Sequence, residues 1–186
     1  MAAEEYSSSV IVGRSGTGKS SIAKALWPES YIREFRYSGE DFMEDFPETC
    51  STEQITRTLG SVGFASPPDW LKRYESLSQG EKMRTDVARA LCLGQDLVVF
   101  DEWTSVVDRE VAKIASYAVS KAIRRTGKKF IAVTCHYDVI DWLEPDWVFC
   151  TDDMEFVKKN ESTRQLTSKS VNVAVDCGRV LASIII

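Results

Sequence analysis

Residues 13–20, Gly13-Arg14-Ser15-Gly16-Thr17-Gly18-Lys19-Ser20, constrain this chain more than any other stretch. They follow a β-prone run, Ser8-Ser9-Val10-Ile11-Val12, and open a helix-prone one, Ser21-Ile22-Ala23-Lys24-Ala25-Leu26. A strand that enters a glycine-rich loop and leaves it as a helix is built to cradle phosphate. Glycines let successive N–H groups approach an anion that a Cβ would hold away. The helix starting near Gly18 aims its free N–H groups and positive dipole end at the same point. Lys19 supplies a mobile cation for β- and γ-phosphates, and the Ser20 hydroxyl suits Mg²⁺. The candidate nucleotide contacts are therefore Gly13, Arg14, Ser15, Gly16, Thr17, Gly18, Lys19, Ser20 and Ser21. A Gly/Ser turn ending by chance in Lys-Ser is the alternative, and the flanking strand and helix speak against it.

The remaining pattern alternates strand and helix. Leu97-Val98-Val99-Phe100 is a continuous apolar run, the profile of a strand buried on both faces, and it ends in Asp101-Glu102. Phe130–Thr134 and Trp147–Cys150 read as further buried strands. Helices are expected from Ser51 to about Leu59, from Ser78 to Leu93 and from Val106 to Arg125. Ser51 with Gln54, and Ser78 with Glu81, carry the capping-box spacing, and Gly127 closes the third helix. Tyr31–Tyr37 is a candidate strand, and Gly60–Trp70, with its Pro67-Pro68 pair, is expected to be loop. Such alternation specifies an α/β fold: a mostly parallel sheet flanked by helices. From about Asn160 the character changes, which predicts a core over 1–160 and a tail over 161–186. In that tail Val171–Val175 alternates like a strand and Ile184-Ile185-Ile186 would be adhesive if exposed. Either it pairs with something or the chain continues into a further domain.

At 186 residues, with 44% apolar and 27% charged residues, the chain has the makings of one globular domain. Its net charge of −5 gives no drive towards nucleic acid, and Arg124, Arg125, Lys128 and Lys129 read as a solvated helix end. Cys50, Cys92, Cys135, Cys150 and Cys177 show no metal-ligand spacing and read as reduced thiols of a cytoplasmic protein. The polar start, Met-Ala-Ala-Glu-Glu-Tyr, predicts no signal peptide, and no apolar run has the length of a membrane span.

Five segments in register resemble the motifs of ATP-binding-cassette (ABC) ATPases. Residues 13–20 match the P-loop, or Walker A motif. Leu77-Ser78-Gln79-Gly80-Glu81, with Arg84 and Ala88-Arg89-Ala90-Leu91 after it, resembles the ABC signature. Leu97–Glu102 resembles Walker B, Trp103–Asp108 the D-loop with Trp103 where proline is usual, and Val133-Thr134-Cys135-His136 the H-loop. The resemblance implies a P-loop NTPase fold in which the Phe130–Thr134 strand lies between the P-loop and Walker B strands. It implies ATP and Mg²⁺, with Ser20 and Asp101 on the metal. It implies Glu102 as general base, Lys19 and His136 on the γ-phosphate, and Ser105 and Asp108 in the D-loop. Ser78, Gln79, Gly80 and Glu81 would act in trans, capping the nucleotide of a second copy, so a nucleotide-dependent homodimer is expected.

Departures narrow the resemblance. Gln79 and Glu81 replace the family's Gly and Gln. With only a few residues before the P-loop strand, the family's adenine-stacking N-terminal subdomain is expected to be missing, and Tyr6 lies too close to that strand to be expected to replace it. No clear Q-loop glutamine is present: Gln54 falls inside a helix, and Asp45 is a candidate substitute. The segment before the signature is short, so the helical subdomain is reduced. Ser61–Trp70 and Cys135–Trp142 look like short, non-transporter ABC-type ATPases of bacteria and phages, some joined to an acetyltransferase-like domain. Another protein partner or a fused domain is therefore expected beside the homodimer.

Overall fold

Period-two alternation along the strands sorts the core into two layers. In the computed structural model, which describes residues 6–159, Val10, Val12, Val98, Phe100, Phe130 and Ala132 belong to one buried cluster. Ile11, Val99, Ile131 and Val133 belong to a second. In chain order the elements are β1 (Ser8–Val12), α1 (Lys19–Leu26), β2 (Tyr31–Ile32), α2 (Thr52–Ser61), α3 (Pro67–Trp70) and α4 (Gln79–Cys92). They continue as β3 (Leu97–Phe100), α5 (Arg109–Thr126), β4 (Lys129–Thr134), α6 (Val139–Leu143), β5 (Trp147–Cys150) and β6 (Glu155–Lys158). The sheet runs β2-β3-β4-β1-β5-β6, parallel throughout except for β6. β4 therefore lies between β1 and β3, as the resemblance implied. α1 covers the smaller cluster through Ile22 and Ala23, while α2, α4, α5 and α6 cover the larger. A parallel sheet needs this double covering, which is why its strands read as unbroken apolar runs.

Several elements depart from the sequence reading. β2 stops at Ile32 rather than Tyr37, because the following aromatics leave the sheet. Arg89 lies over the rings of Phe35 and Tyr37, at 4.8 and 4.7 Å from their centroids. Gly60 continues α2, and Gly63, at φ +87°, makes the turn that ends it. Pro67 and Pro68 open the short α3 instead of breaking structure, since the first helical position needs no N–H bond. α5 starts at Arg109 because the Asp108 carboxylate accepts the Val111 N–H at 3.0 Å. β6 was not anticipated. The predicted strand at Val171–Val175 and the boundary at residue 160 concern a tail outside the described residues.

The reduced helical region between α1 and α4 is pinned by one half-buried carboxylate. Tyr37 and Tyr74 stack with centroids 3.8 Å apart, and each donates its hydroxyl to Asp86 at 2.8 Å. Burial raises the Asp86 carboxyl to about 6, against the opposing pull of both tyrosines and Arg89. A carboxyl whose folded value exceeds its unfolded one favours folding while protonated. Its contribution is complete below about pH 4 and lost as pH rises through about 6. Urea unfolding should therefore show a loss on the order of 2 kcal/mol from this group between pH 4 and 7. Asp86→Asn, which cannot titrate, should lack that slope; an unchanged slope would assign it to other groups.

Candidate nucleotide site

Backbone conformation and close approach explain the glycines of residues 13–20. Gly16 and Gly18 sit at φ +85° and +89°, a region costly for any residue with a Cβ. At Gly13 the limit is space: a Cβ would stand 2.2 Å from Thr151 Oγ1. The loop after β5 is thus packed onto the phosphate loop. Thr17 and Thr151 hydroxyls lie 2.6 Å apart. Asp152 accepts the Arg14 N–H at 3.1 Å and its guanidinium at 3.2 Å. Tyr137 also donates to Asp152. That bond first, and then those from Arg14, hold the Asp152 carboxyl below the usual range. Sequence reasoning missed Tyr137, Thr151 and Asp152, and nothing local in the sequence marks them.

Lys19 is 8% exposed, and its ammonium donates to the Gly13 and Arg14 carbonyls at 2.7 Å each. The side chain thus folds back across the mouth of the loop. A cleft opens beside it, lined by Ser15, Gly16, Gly18, Lys19, Ser20, Ser21, Asp101, Glu102, Val133, Thr134 and Cys135. The P-loop and the ends of β3 and β4 therefore converge, as parallel sheets place their ligand sites.

Asp101 and Glu102 are neighbours in different environments. Asp101 is 2% exposed and accepts from the Ser20 hydroxyl at 3.1 Å. Tyr31, unanticipated, donates to its other oxygen. Burial first, and then Asp101, push the Tyr31 phenol up to about 12. Ser20 and Asp101 present hard oxygen donors side by side, which suits Mg²⁺ completed by phosphates and water. Glu102 is exposed, at φ +54°, with the Ser105 hydroxyl donating to its carboxylate at 2.6 Å. A left-handed conformation costs a residue other than glycine roughly 1–3 kcal/mol and is held only where the surroundings enforce it.

Trp103 does the enforcing. It is fully buried, edge-on to Phe100 and Phe130 at 5.7 and 5.2 Å, with its indole N–H on Ser116 at 3.1 Å. Its amide donates to Val133 O at 2.9 Å, a bond the family's usual proline lacks. Thr134 donates back to the Trp103 carbonyl, also at 2.9 Å. With the indole anchored inward, Glu102 is left on the solvent side. In the D-loop segment, Ser105 is held by Glu102 and Asp108 caps α5.

His136 is placed just beyond the cleft. Cys135 lines it, whereas the His136 side chain does not. Burial first, and then Arg109, depress the His136 pKa, while Asp138 and Glu102 act oppositely. Arg109 itself pairs with Asp138 and lies 4.8 Å over the Trp142 ring.

Ser78 and Glu81 form the expected capping box of α4. Glu81 accepts both the Ser78 N–H and its hydroxyl, each at 2.7 Å, and Ser78 Oγ accepts the Glu81 N–H at 3.4 Å. Gln79 opens the helix, and a Cβ on Gly80 would meet Val111 Cγ1 at 2.7 Å, so glycine allows α4 to pack on α5. Gln54 and Asp45 bond within their own segments, to Ser51 and to Ser38 and Gly39, and neither lines the cleft. Tyr6 packs edge-on to Trp147 at 5.9 Å, by the start of β1 and away from the phosphate loop. Arg124 and Lys128 donate to the Glu144 and Gln95 carbonyls, the behaviour of a helix end.

No family model matches the chain. It is 31% identical over 96 residues to the methionine import ATP-binding protein MetN 2 of Rhodococcus jostii, covering 51% of this chain and 27% of that one. It is 30% identical over 134 residues to the SufC protein of Escherichia coli, 69% of this chain and 46% of that one. Similarity to the energy-coupling factor transporter ATP-binding protein EcfA1 of Mycoplasma genitalium is 25% over 196 residues, 86% of this chain and 70% of that one. The chain thus spans less than half the length of the first two. Among solved structures, a dimeric bacterial ABC transporter cassette superposes with TM-score 0.60 at 15% identity, over 81% of this chain and 83% of that one. A dimeric cassette in a post-hydrolysis state bound to ADP and Pi gives TM-score 0.61 at 15% identity, over 85% and 88%. At that identity the likeness is one of fold.

Proposed function

On the premise that this chain is an ABC-type nucleotide-binding domain, we propose that it binds Mg-ATP in the cleft above β1, β3 and β4 and hydrolyses it. The observation that carries this reading is the juxtaposition of Ser20 and buried Asp101 with an exposed glutamate next in sequence. The N–H groups of residues 14–20 and Lys19 bind the phosphates, with the Lys19 ammonium leaving the Gly13 and Arg14 carbonyls to do so. Ser20 and Asp101 hold Mg²⁺, which when bound neutralises phosphate charge. Glu102, steadied by Ser105, takes a proton from the attacking water. His136, next in sequence to Cys135 of the cleft lining, offers a ring N–H towards the γ-phosphate.

The second copy enters through α4. Ser78, Gln79, Gly80 and Glu81 cap the partner's nucleotide, with helix N-terminal donors facing phosphate. Closure then has to displace the Glu81 carboxylate from the Ser78 donors. That contact favours a second reading, a nucleotide-gated binding module with little hydrolysis. The short region between α1 and α4 supports an output other than docking a membrane subunit. Among the described residues no helix is long and apolar enough to cross a membrane.

Lys19→Ala tests the site itself. Losing one charge-assisted contact costs roughly 1.5–3 kcal/mol, or about ten- to a hundred-and-fifty-fold in affinity. Calorimetry should show that weakening for Mg-ATP with the fold retained. Equal affinity in the mutant would remove the assignment of the loop.

A further inference from the structure

Three donors fix the Asp101 carboxylate at the end of β3. Ser20 Oγ and the Glu102 amide donate to Oδ1, at 3.1 and 3.0 Å, and the Tyr31 phenol donates to Oδ2. Strand register puts the phenol there. Tyr31 pairs with Val99, and the Asp101 N–H donates to Ile32 O at 2.7 Å, so the edge strand β2 runs alongside the approach to the site. A carboxylate offers about four acceptor positions, and among the described residues these donors occupy three of Asp101's, leaving one on Oδ2 for a metal.

We propose that Tyr31 is a positioning residue of the metal site, holding the Asp101 carboxylate in the one orientation it shares with Ser20. The inference rests on the Mg-ATP reading above. Without the phenol, Oδ2 loses that donor and the carboxylate is held through Oδ1 alone, by Ser20 and the Glu102 amide, although the ring would still pack against the smaller core cluster. Partners of metal-ligating groups typically account for about 10–100-fold of metal affinity.

Tyr31→Phe removes the hydroxyl and keeps the ring. Mn²⁺, followed by electron paramagnetic resonance, serves as the probe on the full chain with a non-hydrolysable ATP analogue. The comparison is made among wild type, Tyr31→Phe, Asp101→Asn and the double variant. Tyr31→Phe should bind Mn²⁺ about 10–100-fold more weakly, with metal-free nucleotide binding and thermal midpoint close to wild type. In the Asp101→Asn background it should have no further effect, since Tyr31 acts through that carboxylate. Unchanged or tighter Mn²⁺ binding in Tyr31→Phe overturns the proposal, as does an additive loss in the double variant. A wild type that binds nucleotide but shows no Mn²⁺ signal removes the metal site itself. A wild type that binds no nucleotide at all overturns the functional reading on which the proposal rests.

Discussion

Glu102→Gln is expected to bind Mg-ATP as wild type does and to hydrolyse it about 10²–10⁴-fold more slowly, the usual share of a general base. The substitution preserves shape and lets the amide oxygen accept the Ser105 hydroxyl, so the segment keeps its geometry. What it removes is the capacity to take a proton. Asp101, one residue earlier, cannot substitute: it is buried and already accepts from Ser20, Tyr31 and the Glu102 amide. Two adjacent carboxylates thus sit in separate environments, one buried and one exposed, because the chain turns left-handed between strand and Trp103. Single-turnover phosphate release measures the rate, and calorimetry confirms that binding persists. Turnover within a few-fold of wild type would exclude Glu102 as the base and favour the slow, nucleotide-gated module.

What could be read in the sequence was local. The phosphate loop, the strand ending in Asp101-Glu102 and the capping box at Ser78 each declare themselves within a few residues, because glycine conformation, burial and caps act over that range. Strand order became legible only through the family resemblance. Tyr31, Asp152 and Tyr137 were not legible. Tyr31 reaches Asp101 across 70 residues, and Asp152 reaches Arg14 across 138. Such contacts are created by register and by loops meeting at one end of the sheet, and no period in the sequence encodes them. The opposite failure is also instructive. Pro67-Pro68 and Gly60 carry strong breaker signals, yet tertiary context accommodated them in α3 and at the end of α2. Trp103 shows why a departure from a motif needs its neighbours: its indole occupies core space between Phe100 and Phe130.

Two defective chains should restore one another if nucleotide is held between two copies. Ser78→Arg leaves its own phosphate loop intact but places bulk and charge where the partner's phosphates would dock. It also breaks the cap with Glu81, a loss of about 0.5–2 kcal/mol that the fold should survive. Lys19→Ala has the reverse defect, a sound signature and a disabled phosphate loop. Each chain alone should release phosphate from Mg-ATP at a small fraction of the wild-type rate. A heterodimer joins the good loop of one to the good signature of the other, and so contains one complete site. Phosphate release measured on the mixture across a range of protein concentrations is therefore the decisive experiment. Activity that returns on mixing and rises more steeply than concentration is the expected result, because the site exists only in the complex. A mixture that stays inactive, beside a wild type whose specific activity is independent of concentration, would contradict the two-chain site and leave residues 77–81 as a helix cap alone.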